Sequence, residues 1–417
     1  MAEDEILVIG AGIIGLTTAQ ELIHSGHKVR IVDAGFVGSG TSYGHTAMLS
    51  IYSAYALDPA QLQVPVEQGG FKHPDAKFAT LPHPEWARKY SNHEKKDQLR
   101  ARANLARAGI NNMIAEPDWA LQRAGFYFGH GKRFYFDPER AKQDAKSFAK
   151  LGIAAQLEET SFRSAKSSVS FPAGCMNIYE YCCALASVLE RDGVEITQNT
   201  RVNQLLIKNG MVTGALIDGK QEHFKSVVIC TGADKVLLHN ANENVATALA
   251  PFTGVSINAR ISEERAAKLP KVFQVSYQEN GNHHIITITN IYNDAHPELR
   301  LAGFFAAGVL EKGAKFDFAI NELQRFLKKI APDHQDVTVW HGVRPMTNDG
   351  LPIIGPDPRL KGLYYNIGHG SSAVPLCKGS AMIATEYLND ERLAHPRKMF
   401  DIDLALLSPA RYRQRTP

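Results

Sequence analysis

Three spaced glycines near the start of the chain are candidates for binding a phosphate-bearing cofactor. Gly10, Gly12 and Gly15 follow the apolar run ILVI and open a helix-like stretch, and Asp33 ends a second apolar run. Two glycines permit a tight turn and close approach of the backbone to a pyrophosphate, and the third lets the helix pack on the strand. The helix N-terminus adds N–H groups and a positive dipole, and the aspartate can accept from a ribose hydroxyl. The spacing predicts a βαβ dinucleotide site over residues 5–33.

The choice of dinucleotide depends on Asp33 and on the sequence that follows it. A carboxylate at the end of the second strand disfavours a 2′-phosphate, which leaves NAD and FAD. An NAD enzyme typically continues into further parallel α/β units, whereas this chain inserts about a hundred irregular residues first. The α/β pattern returns over residues 168–233. This interleaving favours FAD, with an NAD-linked dehydrogenase as the alternative.

Composition and charge exclude several other classes of protein. The chain has 417 residues, of which 44% are hydrophobic and 21% charged, as expected for a globular protein of two or three domains. A net charge of +3 is too small to suggest a nucleic-acid partner. Five cysteines, an odd number without a CxxC pair, predict a reducing compartment and no disulfide framework. No metal site is expected. The start MAEDE lacks signal-peptide character and no apolar run is long enough to span a bilayer, so a cytoplasmic protein is expected.

Periodicity predicts the elements that position these residues. Residues 250–310 alternate between apolar and polar side chains, as in an antiparallel sheet with one covered face. Helices are predicted near 93–114, where the basic part is expected to be a solvated face, and over 317–330. A hairpin is predicted over 124–136, and the pair NG at 209–210 predicts a tight turn.

The expected fold class is α/β, a Rossmann-like FAD-binding domain with an interleaved α+β substrate domain built on an antiparallel sheet. The FAD-binding domain is predicted to comprise residues 1–57, 168–240 and 335–417. The substrate-binding domain is predicted to comprise residues 58–167 and 241–334.

Four further segments, taken with the βαβ unit, resemble a known family. GTSYGHTAMLS (40–50) is similar to a flavin loop GTSxxNAGQxS, and VVICTGA (227–233) to a strand followed by ATG. GVRPMTNDGLPIIG (342–355) is nearly GLRPMTPDGxPxIG, and NIGHGSSAVPLCKGSA (366–381) looks like a GHGxxG-type flavin closure. Together they resemble the D-amino-acid oxidase-like (DAO) superfamily of FAD-dependent oxidoreductases, in its D-amino-acid dehydrogenase and glycine oxidase branch.

The resemblance implies a set of FAD-binding residues spread along the chain. Val202 matches a position that contacts adenine through its backbone, and the helix after Ser372 would face the N1/C2 edge of the flavin. The implied FAD-binding residues are Gly10, Gly12, Ile14, Gly15, Asp33, Ala34, Gly40, Thr41, Ser42, His45, Thr46, Ala47, Met48, Val202, Thr231, Gly232, Gly342, Gly368, His369, Gly370, Ser371 and Ser372.

The same resemblance implies residues that act on the substrate. Arg344 matches the arginine that grips a substrate carboxylate, and its alternative role is structural, capping a turn before Pro345. Tyr52 and His369 are the other predicted catalytic residues, although Tyr52 also suits a packing role. Phe304 and Phe305 are candidates for the pocket wall.

Two departures from the branch pattern affect how the flavin is held. His45 stands where asparagine is usual, and Met48 where glutamine is usual, so side-chain contacts to the flavin are altered or replaced by backbone N–H groups. Covalent attachment of FAD through His45 is an alternative to non-covalent binding. Cys377 is a second candidate for attachment, but the pattern favours a small core residue there.

The predicted reaction is the FAD-dependent oxidation of a C–N bond. The substrate is an amino acid or related amine-bearing carboxylate: a D-amino acid, glycine-like compound, imino acid or opine. Hydride passes from the α-carbon to flavin N5, the imine hydrolyses to a 2-oxo acid, and electrons leave to oxygen or a quinone-type acceptor. The alternative is an FAD-binding subunit of a multi-component opine or amine dehydrogenase that needs a partner subunit. The basic end 408–417 is expected to be disordered, with peripheral binding to the inner face of a membrane as the alternative.

Overall fold

The structure is a computed structural model of the 417-residue chain. The residues it describes are 4–51, 78–80, 86, 89, 95–115, 117–150, 152–279, 282–293, 296–310, 314–389 and 398–412. Tyr52, predicted to be catalytic, lies outside the described residues.

The described residues form the following strands and helices. The strands are β1 (Glu5–Ile9), β2 (Lys28–Val32), β3 (Met48–Leu49), β4 (Phe78–Thr80), β5 (Tyr127–Tyr135), β6 (Gln156–Glu159), β7 (Ser167–Cys175), β8 (Glu195–Thr197), β9 (Val202–Lys208), β10 (Met211–Ile217), β11 (Lys220–His223), β12 (Ser226–Ile229), β13 (Leu249–Arg260), β14 (Val272–Glu279), β15 (Asn282–Asn293), β16 (His296–Ala307), β17 (Val309–Leu310), β18 (Gln335–Thr347), β19 (Ile353–Pro356), β20 (Leu363–Ile367), β21 (Lys398–Met399) and β22 (Ile402–Asp403). The helices are α1 (Ile13–His24), α2 (Lys95–Ala115), α3 (Trp119–Arg123), α4 (Pro138–Lys150), α5 (Ile178–Arg191), α6 (Val236–Ala241), α7 (Glu243–Ala248), α8 (Glu263–Lys268), α9 (Ala314–Ile330) and α10 (Ala373–Asn389).

Strand β1 lies inside a six-stranded sheet in the order β19, β20, β12, β1, β2, β8. All neighbours are parallel except β19 and β20. The side chains of β1 are buried on both faces, because Ile6 and Val8 pack in the cluster that contains α1, while Leu7 and Ile9 pack in a second cluster. A parallel sheet covered on both faces explains why β1 reads as a continuous apolar run. The βαβ unit predicted over residues 5–33 is confirmed.

The turn predicted at NG closes the hairpin between β9 and β10. Asn209 and Gly210 have φ angles of 51° and 72°. Two consecutive positive φ angles are those of a type I′ turn, whose twist matches that of the flanking antiparallel strands. This hairpin continues into β11 as a three-stranded sheet.

A nine-stranded sheet forms the second layer of the fold. Its order is β18, β13, β16, β15, β14, β5, β7, β3, with β6 beside β7, and all pairs are antiparallel except β14 with β5. One face packs on α9, where Leu323 and Leu327 share a buried cluster with Ile257 and Leu301. The α/β fold class, with a large and mainly antiparallel sheet beside the parallel one, is confirmed.

Three strands from segments assigned to the FAD-binding domain, β3, β7 and β18, pair within this larger sheet. β7 pairs with β5, and β18 pairs with β13. The nine-stranded sheet therefore draws on both sets of predicted domain segments. The domain boundaries remain a prediction.

The hairpin predicted over residues 124–136 is wrong. The segment forms the single strand β5, which pairs with β7 over nine residues. Gly129 and Gly131 suggested a turn, but Gly131 serves packing instead, because a Cβ there would lie 2.9 Å from Cβ of Ala173. Glycine inside a strand often marks such a close approach.

The C-terminal segment is packed as far as residue 412, so the predicted disordered tail is wrong for that part. The Arg411 side chain is 13% exposed, and its Nε lies 2.6 Å from Oδ2 of Asp349. Its Nη2 also donates to the carbonyl of Leu351 at 2.9 Å. The Arg411 side chain is therefore bound within the protein and is not available to contact a lipid surface. Across the described ranges, no helix is long and apolar enough to cross a membrane.

Candidate cofactor and substrate site

A cavity of about 590 Å³ opens where the parallel strands β1, β2, β12 and β20 end. Loops at the carboxyl ends of such strands are the usual place for a nucleotide in an open α/β sheet. Most of the predicted FAD-binding residues line it: Gly10, Gly12, Ile14, Asp33, Ala34, Gly40, Thr41, Ser42, His45, Val202, Thr231, Gly232, Gly342, Gly368, His369 and Gly370. Other predicted site residues lie outside the lining: Gly15, Thr46, Ala47, Met48, Ser371, Ser372 and Arg344.

The glycines of the N-terminal motif have separate steric roles. Gly10 has φ +114°, and a Cβ there would lie 2.5 Å from the carbonyl oxygen of Cys230. A Cβ on Gly15 would lie 1.8 Å from the carbonyl oxygen of Gly10, so this glycine lets α1 sit directly on the end of β1. Gly12 precedes α1 and lines the cavity. Gly10 and Gly15 therefore permit the turn, and Gly10 and Gly12 line the cavity.

Asp33 and two hydroxyl groups fix the backbone around this turn. Asp33 accepts from the N–H groups of Ala11 at 2.6 Å and Gly35 at 2.7 Å. Ser42 Oγ accepts from the N–H of Ile13 at 3.1 Å, and Thr41 donates to the carbonyl of Val343 at 2.7 Å in β18. The hydroxyls of these two predicted FAD-binding residues thus tie their loop to α1 and β18.

His45 is buried where two walls of the cavity meet. Its Nε2 lies 3.1 Å from the carbonyl of Ser371, and its Nδ1 accepts from the N–H of Ala47 at 3.1 Å. These partners require a neutral ring with hydrogen on Nε2. Burial, together with the nearby cations Arg344 and Arg300, lowers the pKa of His45 to about 3. Both ring nitrogens are engaged, which argues for non-covalent FAD.

Cys377, the other candidate for attachment, is a core residue. It is fully buried, and its Sγ donates to the carbonyl of Val374 at 3.1 Å. Burial raises the pKa of its thiol to about 12, so the reactive thiolate is suppressed. It does not line the cavity.

The turn at residues 368–372, called here the closure turn, forms another wall of the cavity. Gly368 and Gly370 have φ angles of 80° and 60°, and a 3₁₀ turn leads into α10. His369 is 2% exposed, and burial with the cation Arg102 nearby lowers its pKa to about 3. The Nε2 atom of His369 has no hydrogen-bond partner among the residues that the structure describes. A neutral imidazole with one open nitrogen therefore borders the cavity.

Arg102 holds the closure turn from behind, a role that sequence reasoning missed. It donates to the carbonyl of His369 at 3.2 Å and to Oγ of Ser372 at 3.0 Å, and it also bonds the carbonyl of Gly350. The helix α2 was expected to present a solvated basic face, but Arg102 is only 3% exposed. Helical periodicity alone does not distinguish this arginine from its exposed neighbour Arg100.

Arg344 lies within β18, opposite Phe252 of β13, and is 3% exposed. Its guanidinium lies against Gly254, where a Cβ would fall 1.8 Å from Nη1. The ring of Phe305 covers the guanidinium, with its centroid 4.5 Å from Cζ. Within the described part of the chain, Nε and Nη1 have no hydrogen-bond partner. The turn-capping role considered for Arg344 is therefore wrong, because this residue is in a strand with open donors.

The electrostatics of Arg344 indicate a site for an anion. Burial lowers its pKa to about 10, so the guanidinium remains a cation at neutral pH. Burying a cation without a partner costs several kcal/mol, which a bound carboxylate offsets. Both neighbours of Arg344 in β18, Val343 and Pro345, line the cavity. The candidate anion site therefore lies beside the candidate cofactor cavity.

The two neighbouring phenylalanines diverge. Phe305 covers Arg344, whereas the ring of Phe304 contacts that of Phe318 with centroids 5.9 Å apart. Strand β16 has a β-bulge here, and Phe304 has φ +55°, so one ring borders Arg344 and the other faces α9. Only Phe305 fits the predicted pocket wall.

Trp340 is a further lining residue that sequence reasoning missed. Its indole lies across two glycines, since a Cβ on Gly44 or Gly342 would fall 1.8 Å or 2.1 Å from the ring. The signal was present in the segment WHGVRP, where the tryptophan is two residues before a glycine on the same strand face.

Open polar atoms in the cavity fit a large polar cofactor. Asn366 is fully buried and lines the cavity; its Nδ2 donates to Thr18 at 3.0 Å, while its Oδ1 has no partner in the described ranges. The open Nε2 of His369 adds a second such atom. Buried polar groups are normally paired, so these two atoms are available to hydrogen-bond a bound molecule. Together with the glycine turn, they suit FAD.

The two buried histidines predict loss of stability in mild acid. An unfolded histidine has a pKa near 6.5, whereas those of His45 and His369 are about 3 in the folded protein. The unfolded chain binds more protons between these values, so the free energy of unfolding falls as the pH drops below about 6.5. Each histidine contributes about 2 kcal/mol to this loss at pH 5. We expect urea unfolding at pH 7 and pH 5 to show this fall.

The control is the double variant His45→Gln, His369→Gln. It lacks both titrating rings, so its free energy of unfolding should depend less steeply on pH over the same interval. A double variant with the wild-type slope would contradict the prediction.

Comparisons with known proteins agree with this geometry. A family model described as DAO: FAD dependent oxidoreductase matches residues 5–387. A D-amino acid dehydrogenase of Rhizobium johnstonii is 24% identical over 411 residues, covering 91% of this chain and 94% of that protein. The crystal structure of glycine oxidase from Bacillus cereus has a TM-score of 0.71 at 18% identity, and 99% of each chain is covered. L-amino acid deaminase from Proteus myxofaciens has a TM-score of 0.67 at 13% identity, covering 99% of this chain and 94% of that one.

The structural likenesses establish the fold, and the family match decides between the two dinucleotides in favour of FAD. It extends from β1 to α10 and so includes the glycine turn, the closure turn and Arg344. The chain belongs to the DAO family of FAD-dependent oxidoreductases.

Proposed function

We propose that this enzyme oxidises the C–N bond of an amino acid or a related amine-bearing carboxylate, giving an imine that hydrolyses to a 2-oxo acid. The observation that carries the proposal is the buried Arg344, whose Nε and Nη1 are open among the described residues. A D-amino acid, a glycine-like compound, an imino acid and an opine all present the carboxylate that such a group binds. The names of the relatives support an amino-acid-like substrate.

The guanidinium of Arg344 would hold the carboxylate through two hydrogen bonds. Charge-assisted pairs of this kind fix both the position and the rotation of the bound group. Gly254 leaves the space that the guanidinium occupies, and the ring of Phe305 lies over the guanidinium and restricts its movement. The substrate's α-carbon would therefore be held at a fixed place beside the cavity, which supplies much of the rate enhancement in such reactions.

The lining residues of the cavity would hold FAD, which supplies a two-electron acceptor for the substrate when bound. The turn at Gly10 and Gly12 would receive the pyrophosphate at the start of α1, and Asp33 a ribose hydroxyl. The closure turn would contact the flavin, with the positive end of α10 behind it. We propose that the six-stranded sheet forms the FAD-binding domain and that the nine-stranded sheet forms the substrate-binding domain.

The buried histidines of the site are poor bases. His45 and His369 both have a pKa of about 3, so both rings are neutral at pH 7 and neither readily accepts a second proton. The substrate amine would therefore enter in its neutral form, having lost its proton to solvent. No general base is assigned to the described residues.

An anaerobic visible spectrum of the purified protein, titrated with candidate substrates, tests the proposed function. The panel comprises D- and L-amino acids, glycine, N-methyl amino acids, both prolines and opines, with the corresponding amines lacking the carboxylate as matched controls. We expect the flavin bands to bleach with one class of carboxylate and to persist with its decarboxylated amine. Bleaching by amine and carboxylate alike would overturn the role of the anion site.

Flavin bands that persist with the whole panel would favour the alternative, a flavin-binding subunit that turns over only with a partner. Reoxidation of the bleached protein by air or by a soluble quinone then identifies the acceptor as oxygen or a quinone-type compound.

A further inference from the structure

The loop at residues 40–48, called here the flavin loop, rests on polar side chains of the nine-stranded sheet. Ser256 of β13 donates to the carbonyl of Gly44 at 3.1 Å, and Thr289 of β15 donates to the carbonyl of Thr46 at 2.8 Å. Both hydroxyl-bearing residues are at most 1% exposed. Two carbonyls of a buried loop are thereby satisfied by the sheet rather than by water.

The carbonyl between these two is held by an arginine. Arg300 of β16 donates from Nη1 to the carbonyl of His45 at 3.1 Å, and from Nε to Oδ1 of Asn258 at 2.8 Å. In the sheet, β16 lies between β13 and β15. Three adjacent strands therefore each supply one donor to three successive carbonyls of the flavin loop.

A neutral donor would satisfy the carbonyl of His45 at a lower desolvation cost than a cation does. Arg300 is 3% exposed, and no carboxylate of the described residues lies within ion-pair distance of it. Burial lowers the pKa of this guanidinium, which reflects the cost of keeping its charge there. An arginine in such a place implies a requirement beyond a single hydrogen bond. Its fork reaches the loop and β13 together, which a serine or threonine side chain is too short to do.

The residue that Arg300 contacts connects the two walls of the cavity. The backbone of His45 belongs to the flavin loop, and its ring bonds the carbonyl of Ser371 in the closure turn. Ala47 follows in the left-handed region with φ +65°, a conformation that costs free energy for a residue with a Cβ. The loop is therefore held in a strained shape by contacts from the sheet.

We propose that Arg300 is a positioning residue for FAD, which fixes the flavin loop on the sheet through the carbonyl of His45. This inference rests on the proposed location of the flavin beside this loop. Without Arg300, the loop moves away from the sheet and the ring of His45 no longer bonds the carbonyl of Ser371 in the closure turn. The cavity then binds FAD less tightly.

The test compares Arg300→Gln, Arg300→Lys and the matched control Arg260→Gln. Arg260 lies in the same sheet but is exposed and paired with Asp336. We expect Arg300→Gln to raise the dissociation constant of FAD about tenfold or more, as loss of a buried charged donor predicts. We also expect a shifted flavin absorption spectrum and faster deuterium uptake at residues 40–50 of the apoprotein. Arg300→Lys, which keeps the charge but loses the fork, should restore only part of the affinity, and Arg260→Gln should match the wild type.

Wild-type FAD affinity and wild-type deuterium uptake in Arg300→Gln would overturn the proposal. If Arg300→Gln does not fold, the double variant Ser256→Ala, Thr289→Val removes the two flanking donors without burying a new charge. It should shift affinity and uptake in the same direction, and wild-type values in this folded variant would overturn the premise that donors from the sheet hold the loop in its FAD-binding shape, and the proposal with it. None of these measurements uses a substrate, so failure of the substrate panel is distinguishable from failure here.

Discussion

Replacing Arg344 with alanine is expected to lower kcat/KM for the carboxylate substrate by about 10³-fold while FAD stays bound. Removing one partner of a buried, hydrogen-bonded charge pair costs about 2 to 5 kcal/mol. Arg344 does not line the cavity proposed for FAD, so flavin content should be unchanged. Steady-state kinetics with the best substrate of the panel, alongside the flavin absorbance per protein, measure both quantities. Unchanged turnover would refute a carboxylate-binding role for this arginine.

Gly254→Ala tests the same site without altering the charge. Its Cβ would fall 1.8 Å from Nη1 of Arg344, and the guanidinium, as the far end of a flexible side chain, is what must move. We expect a raised KM with a normal far-UV spectrum and normal FAD content. Arg344→Lys complements it, because a lysine keeps the charge but loses the paired donors. If lysine restored full activity, charge alone would suffice and the orienting role of the guanidinium would be wrong.

Gly10→Ala is expected to abolish FAD binding and to lower the free energy of unfolding by about 3 kcal/mol or more. The substitution forces a side chain into φ +114° and places its Cβ 2.5 Å from the carbonyl oxygen of Cys230. That oxygen belongs to the chain at the end of β12, so the neighbouring strand end has to move. The measurements are flavin content after reconstitution and urea unfolding of the apoprotein.

Gly26→Ala is the matched control for this prediction. Gly26 also has a positive φ, +83°, but a Cβ there would meet nothing within 4 Å. This variant carries the conformational strain alone, about 1 kcal/mol, and should retain FAD. Equal losses in the two variants would mean that strain, rather than contact with β12, accounts for the effect of Gly10→Ala.

The sequence predicted those parts of the site whose residues are close together along the chain. The glycine turn, the NG hairpin and the alternating strands each follow from local conformational rules, and the structure has all three. Asp33 was predictable for the same reason, since it ends a strand at a fixed distance from the turn. Local rules are sufficient where the chain's own geometry determines the answer.

The rest depended on contacts between distant residues. Arg102 reaches the closure turn across 267 positions, and Arg300 reaches the flavin loop across 255. Nothing in the sequence next to either arginine distinguishes it from a solvated one. The predicted hairpin over 124–136 was wrong for a related reason. Gly131 allows close packing against Ala173 of the neighbouring strand and does not form a turn. Long-range packing therefore decided what local patterns left open.

Strand β18 has a consequence for how the enzyme can change its substrate. Residues 340–343 line the cavity proposed for FAD, and Arg344 follows within the same strand. An extended strand advances about 3.3 Å per residue, so backbone geometry sets the spacing between cofactor and carboxylate. A hinge movement is not needed to set that distance. Enzymes of this kind that accept substrates of different size would then differ in the residues around Arg344, such as Phe305. The distance along β18 between cofactor and carboxylate would stay the same.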